Sequence, residues 1–224
     1  MTAAIDLDRI IYRYSQLTGF LSVFATISVS IALDLFRQHG GFLRTAEALR
    51  LGIHPRTLYA MRDEGMLVRL SRGLYRLADL APLSNPDLIV VAQRAPQSVI
   101  CLVSALAFHG LTTQIPHAID VAVRSGSARP AIDYPPLRIF WFSSQTWSEG
   151  IAVHVLDDTP VRIYDPAKSV ADSFKFRNRL GIDIALEALR LYRARRDFSV
   201  DVLLKYARIC RVQGVIRPYL EALL

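Results

Sequence analysis

Cysteine is scarce: Cys101 and Cys210 are the only two in 224 residues. Two thiols give neither a disulfide framework nor the paired spacing of a zinc site. Each lies in an apolar, helix-like run, SVICLVSAL and KYARICRVQ, so both read as buried free thiols in a reducing cytoplasm. Long uncharged runs are also missing. The stretch FLSVFATISVSIAL, residues 20–33, holds 14 residues without a charge, short of the roughly 20 that a membrane-spanning helix needs. Asp6, Asp8, Arg9 and Arg13 precede it instead of a basic leader region, and no small-residue cleavage site follows. Neither a signal peptide nor a membrane partner is expected. Residues 1–29 read as an N-terminal extension, either an extra helix or translated sequence upstream of the true start.

Catalytic signatures are missing too. Ser104, His109 and Asp120 all occur, but no G-x-S-x-G elbow precedes a helix. His109, His117 and His154 have the spacing of no metal set. Asp120 and Asp133 are the carboxylates a nuclease would use, yet no Glu-x-Lys completes the pair, and Glu149 stands alone in a loop. There is no glycine-rich phosphate loop. The expectation is no catalytic site, no metal and no cofactor. The enzymatic alternative, a DNA-targeted nuclease or nucleotidyltransferase-like protein, would rest on Asp120 and Mg²⁺.

What the chain does carry is positive charge. Lys and Arg number 27 against 20 Asp and Glu, a net +7 with pI near 9.7, which suits nucleic acid first and an acidic membrane surface second. At 52% hydrophobic and 21% charged, the composition is that of a folded domain with a buried core.

Three blocks follow the extension. Residues 30–80 alternate short helical patterns with a basic hairpin. APLSNPD (81–87) is linker chemistry and caps the next helix. Residues 86–224 run through NPDLIVVAQRAP and QSVICLVSALAFHGL with helical spacing. Short strands follow (AIDVAVR, LRIFWFS, GIAVHVL, VRIYD), with a hairpin at Asp-Asp-Thr-Pro. From Asp165 onward the pattern is helical again, starting from an Asp cap and a first-turn Pro. The fold class predicted is α+β: an N-terminal winged helix-turn-helix, then an α/β domain with a small sheet and C-terminal helices.

The DNA-binding expectation rests on RTAEALRLGIHPRTLYAMRDEGM, from Arg44. Thr45 can cap a short helix whose inward face is Ala48 and Leu49. Gly52 supplies the positive φ of the turn, and Ile53 plugs it. His54 and Pro55 start a second helix. With Leu58 and Met61 inward, Arg56, Thr57, Tyr59 and Arg62 face outward, where a recognition helix meets the major groove. LVRLSRGLYRL then makes a hairpin turning at Ser71-Arg72-Gly73. Its Arg69, Arg72 and Arg76 are placed as a wing over phosphates or the minor groove. Residues 40–80 hold seven arginines against Glu47, Asp63, Glu64 and Asp79. The same fold used for protein contacts is the alternative.

Beyond the strands, residues 165–224 hold 12 Lys and Arg against 7 Asp and Glu. Lys168, Lys175, Arg177 and Arg179 gather near one helix, interleaved by Phe174 and Phe176. Arg190, Arg193, Arg195 and Arg196 gather near the end of the next. They read either as a solvated face with cationic helix ends or as a second nucleic-acid surface. Trp141 reads as core and Trp147 as a looser edge residue.

Three long segments carry a family resemblance: GGFLRTAEALRLGIHPRTLYAMRDEGMLVRLSRGLYRLADL, NPDLIVVAQRAPQSVICLVSALAFHGLTTQIPH and VRIYDPAKSVADSFKFRNRLGIDIALEALRLY. From about Leu33 to Leu224 the chain resembles the AbiEi antitoxins. The resemblance implies a winged helix-turn-helix joined to an AbiEi-like antitoxin domain over 86–224. It implies repression of the protein's own operon through promoter inverted repeats in double-stranded DNA. It also implies a functional link to a nucleotidyltransferase toxin without a stable complex, in defence against phage. Stand-alone regulators share the architecture. The expected location is the cytoplasm, on the nucleoid when DNA is bound, as a monomer or weak homodimer.

Overall fold

The computed structural model describes residues 29–223, which form two compact units, one ending at Pro82 and one starting at Leu83. The expectations for residues 1–28 lie outside the described residues. Among the described residues, no helix is long and apolar enough to cross a membrane.

The first unit begins with helix α1, residues 29–38. Ala32 and Phe36, four apart, are its buried face. Strand β1 (Phe42–Arg44), helices α2 (Thr45–Arg50) and α3 (Pro55–Asp63), and strands β2 (Leu67–Ser71) and β3 (Leu74–Leu77) follow. The sheet is antiparallel in the order β1-β3-β2. One face of that sheet (Leu43, Tyr75, Leu77, Leu67) and the inward faces of the helices (Phe36, Ala48, Ile53, Leu58, Met61) share one core. This is a winged helix-turn-helix.

The second unit is built around a five-stranded mixed sheet of order β6-β5-β4-β8-β7. Its strands are β4 (Val99–Ile100), β5 (Ile119–Arg124), β6 (Leu137–Phe142), β7 (Ile151–Leu156) and β8 (Thr159–Tyr164). Helix α4 (Pro86–Arg94) packs on β8. Helix α5 (Leu102–Phe108) follows β4, and the short α6 (Ser144–Ser148) follows β6. The C-terminal helices are α7 (Pro166–Lys175), α8 (Arg177–Leu180), α9 (Ile182–Arg193), α10 (Val200–Ile209) and α11 (Gln213–Leu223). Helix α7 is their hub: residues 167–174 are all buried, and it packs against α5, α9 and α10. The β7–β8 hairpin turns at Asp157 and Asp158, both at positive φ (44° and 60°). Aspartate tolerates that region better than most residues, and two such residues make the tight turn whose twist suits a hairpin.

Three local expectations are corrected. The segment QSVI is not helical. Val99 and Ile100 form the central strand, and α5 starts only at Leu102. A strand buried on both faces has no polar alternation to distinguish it from a helix core. The two tryptophans exchange roles: Trp141 is 50% exposed on the edge strand β6, whereas Trp147 is packed against the sheet cluster of Phe140, Phe142 and Tyr164. Leu49 is exposed and Ala48 alone is buried on α2, because consecutive helical positions diverge by about 100°.

Candidate nucleic-acid interface

The turn between α2 and α3 is closed by backbone bonds from Gly52 to Leu49 (3.1 Å) and from Ile53 to Ala48 (2.9 Å). Gly52 holds φ +89° with nothing near its missing Cβ, so conformation rather than space requires glycine there. His54 caps α3: its Nδ1 accepts from the Arg56 amide at 3.2 Å, which places the neutral ring's proton on Nε2. Thr45 does not cap α2. Arg44 is the N-cap residue, without a side-chain bond, and the Thr45 amide instead donates to Gly73 O at 2.9 Å.

Leu58 and Met61 are fully buried, and α3 turns Arg56 and Tyr59 outward, with Thr57 and Arg62 half-buried beside them. Arg62 is held on this face. Its Nη2 lies 2.7 Å from Asp63 Oδ1, its Nε donates to the same oxygen, and its guanidinium sits 5.2 Å from the centre of the Tyr59 ring. The hydrogen bond to Asp63 raises its affinity for the proton further.

In the hairpin, Arg72 and Gly73 form the two-residue turn, with Gly73 at φ +71°. Arg72 is exposed, and Arg69 is exposed on β2. The register slips between Arg69 and Ser71, a bulge that increases the twist of the wing. Arg76 does not project as a wing cation. It lies on the central strand opposite Phe42, 5.6 Å from that ring, and donates from Nη1 to Leu80 O and from Nη2 to Ala81 O. Two further residues of the first unit are exposed, Arg50 at the end of α2 and Val68, 47% exposed on β2. The helical and strand periods would have found both.

The basic C-terminal group is only partly a surface. Lys168 is fully buried, which corrects its placement on a nucleic-acid face. Its Nζ meets Asp172 Oδ2 at 2.5 Å and lies 4.2 Å from the Tyr164 ring centre. The Cys210 thiol donates to the other Asp172 oxygen at 3.1 Å, and burial pushes that thiol up to about 12. Burial likewise pushes the Cys101 thiol well up. Lysine and aspartate four apart are neighbours on a helix, and here the shared face points into the hub of the unit. Arg177 is drawn in as well, donating to Phe174 O at the end of α7. Lys175 is half-buried near the Phe142 and Phe176 rings, while Arg179 lies 4.5 Å from the centre of Phe140. Arg193, the last residue of α9, and Arg196, just past its end, are exposed, roughly the 18 Å length of that helix from its start near Arg179.

The residues an enzyme would use are occupied structurally. Buried Asp120 accepts from the Val103 amide at 3.0 Å and takes both Nε and Nη2 of Arg138, at 2.6 and 2.8 Å. It joins β5 to the start of α5 and to β6. Burial raises its pKa, against the opposing pull of Arg138. His109 donates from Nε2 to Tyr164 O at 2.7 Å, and burial lowers its pKa. Glu149 pairs with Lys205. Among the described residues, no cluster of three or more His, Cys, Asp or Glu could hold a metal ion.

A family model described as "Transcriptional regulator, AbiEi antitoxin" matches residues 30–78. That stretch is the winged helix-turn-helix, and a regulator domain of this kind is thereby indicated for the first unit. Among solved structures, the chain is similar to the crystal structure of the RV2827C protein from Mycobacterium tuberculosis. The likeness has a TM-score of 0.52 and 12% identity, covering 85% of this chain and 79% of that one, and it concerns the fold. A comparison with curated protein sequences gives no match.

Proposed function

We propose that the chain is a transcriptional repressor that binds double-stranded DNA, with α3 in the major groove and the β2–β3 wing on the flanking backbone. One observation supports the reading: the arginine-tipped wing is bonded to the helix-turn-helix at its first helix, through the Thr45 amide of α2 and Gly73 O, and α2 is in turn closed onto α3 by the turn bonds at Gly52 and Ile53. On this reading Arg56 and Tyr59 read base edges, and Arg44, Thr45, His54, Arg69 and Arg72 meet phosphates. Thr57 and Arg62 complete the helix face, and Arg76 acts through the wing's geometry. The match of a regulator family model to these residues supports it.

The finer reading follows from the AbiEi resemblance. The operator is an inverted repeat in the protein's own promoter, and the second unit opposes a nucleotidyltransferase toxin without a stable complex. Lys175, Arg179, Arg193 and Arg196 are the cations that unit presents to nucleic acid. A promoter–reporter fusion tests repression: co-expression of the chain lowers reporter output, and the Arg56→Ala/Arg72→Ala double variant restores it. Output unchanged by the wild-type chain contradicts the proposal. Co-expression with the nucleotidyltransferase of a neighbouring gene tests the antitoxin part, through restored growth.

A further inference from the structure

The second unit contains a cavity of 430 Å³ with no place in the DNA-binding reading. Arg94 at the end of α4, Arg124 at the end of β5, and Arg129 on the following loop line it, together with Trp147, Ser98 and Ser127. No carboxylate lines it. Arg124 and Arg129 have no ion-pair partner among the described residues. The two like charges of Arg124 and Arg129 in one concavity focus a field that favours an anion.

The walls are anchored. The Ser125 amide donates to Phe142 O at 2.7 Å and the Ser127 amide to Arg124 O at 3.0 Å, with Gly126 at φ +88° between them. Arg94 Nη2 donates to Ala131 O at 3.2 Å, fastening α4 to the same loop. Arg124 Nε donates to Ser144 Oγ at 3.0 Å, which fixes the plane of its guanidinium. Trp147 is held from outside the cavity's arginine group, by Arg162 at 5.0 Å from its ring centre.

We propose that this cavity binds an organic phosphate of mononucleotide size. Guanidinium forks match phosphate oxygens in pairs. The Trp147 wall and the apolar Val123 and Pro130 supply a surface for the organic part. The volume lies within the usual span of small-ligand sites, roughly 300–1,000 Å³. The site lies in the second unit and stands whether or not the first unit binds DNA.

Calorimetric titration of the full chain with AMP, GMP, adenosine and inorganic phosphate tests it. The nucleotides should bind more tightly than either adenosine or phosphate alone. The Arg124→Ala/Arg129→Ala variant, changed at two exposed positions, should bind them about tenfold more weakly or worse. Its thermal melt and its affinity for duplex DNA should match the wild type. Absence of nucleotide binding at millimolar concentration overturns the proposal, as does binding unchanged in the variant. Loss of duplex affinity in the variant, without nucleotide binding by the wild type, would make the cavity part of a DNA surface and also overturn it.

Discussion

The amide of Thr45, first residue of α2, donates to the carbonyl of Gly73 in the wing turn at 2.9 Å. The bond fixes where the wing stands relative to the helix-turn-helix, because the loop at its tip cannot swing without breaking it. With the turn bonds at Gly52 and Ile53, it links the wing through α2 to α3.

Arg72 and Arg76 lie four positions apart on one hairpin but have different expected roles. Arg72→Ala should leave the melting temperature nearly unchanged and reduce the salt slope of duplex binding by about 1, the loss of one phosphate contact. Arg76→Ala removes the donor to the Leu80 and Ala81 carbonyls, so it should lower the melting temperature and leave the salt slope intact.

Asp63 sits against Arg62 on the outer face of α3 and is itself exposed. Asp63→Asn removes a negative charge from the proposed groove surface and releases Arg62. Duplex affinity should rise several-fold with a steeper salt dependence, measured by fluorescence anisotropy. Arg56→Ala should instead cost about 1–3 kcal/mol at particular base pairs, seen by comparing operator variants.

Lys168 and Asp172 form a buried pair, so removing one partner leaves a charge stranded. Lys168→Met should destabilise the chain by about 3–5 kcal/mol, and combining it with Asp172→Leu should recover much of that loss. Denaturant unfolding of the two variants checks the order. Salt dependence of DNA binding should be the same in both as in the wild type.

Glu187 accepts from the Thr112 hydroxyl and from the Thr113 hydroxyl and amide, tying the loop after α5 to α9. These bonds hold its carboxyl below the ordinary carboxylate range. A depressed acid stabilises the fold above its unfolded pKa and loses that contribution as the pH falls through its folded value. Glu187→Gln should therefore lower stability at neutral pH and flatten the acid limb of the melting-temperature profile below about pH 4.5.

The architecture was legible in the sequence wherever periodicity met punctuation. Gly52, Pro55 and the Ser71-Arg72-Gly73 turn delimit α2, α3 and the wing, and the Asp157-Asp158 pair marks the β7–β8 hairpin. It was not legible at β4, where Val99 and Ile100 are apolar on both faces, nor at the Trp141 and Trp147 exchange, which depends on which strand ends the sheet. Charge counting found the basic segments but could not see that Lys168 points into the hub of the second unit. The Arg94–Arg124–Arg129 cavity has no local signal, since its lining comes from a helix end, a strand end and a loop.

The central claim is duplex binding by the first unit, and its most direct test is anisotropy with DNA from upstream of the protein's own gene, titrated at rising salt. If Arg44, Arg69 and Arg72 contact phosphate, log affinity should fall with log salt at a slope of about −3. The Arg56→Ala/Arg72→Ala variant should bind weakly at every salt. No binding at moderate salt, or wild-type affinity in that variant, would contradict the account.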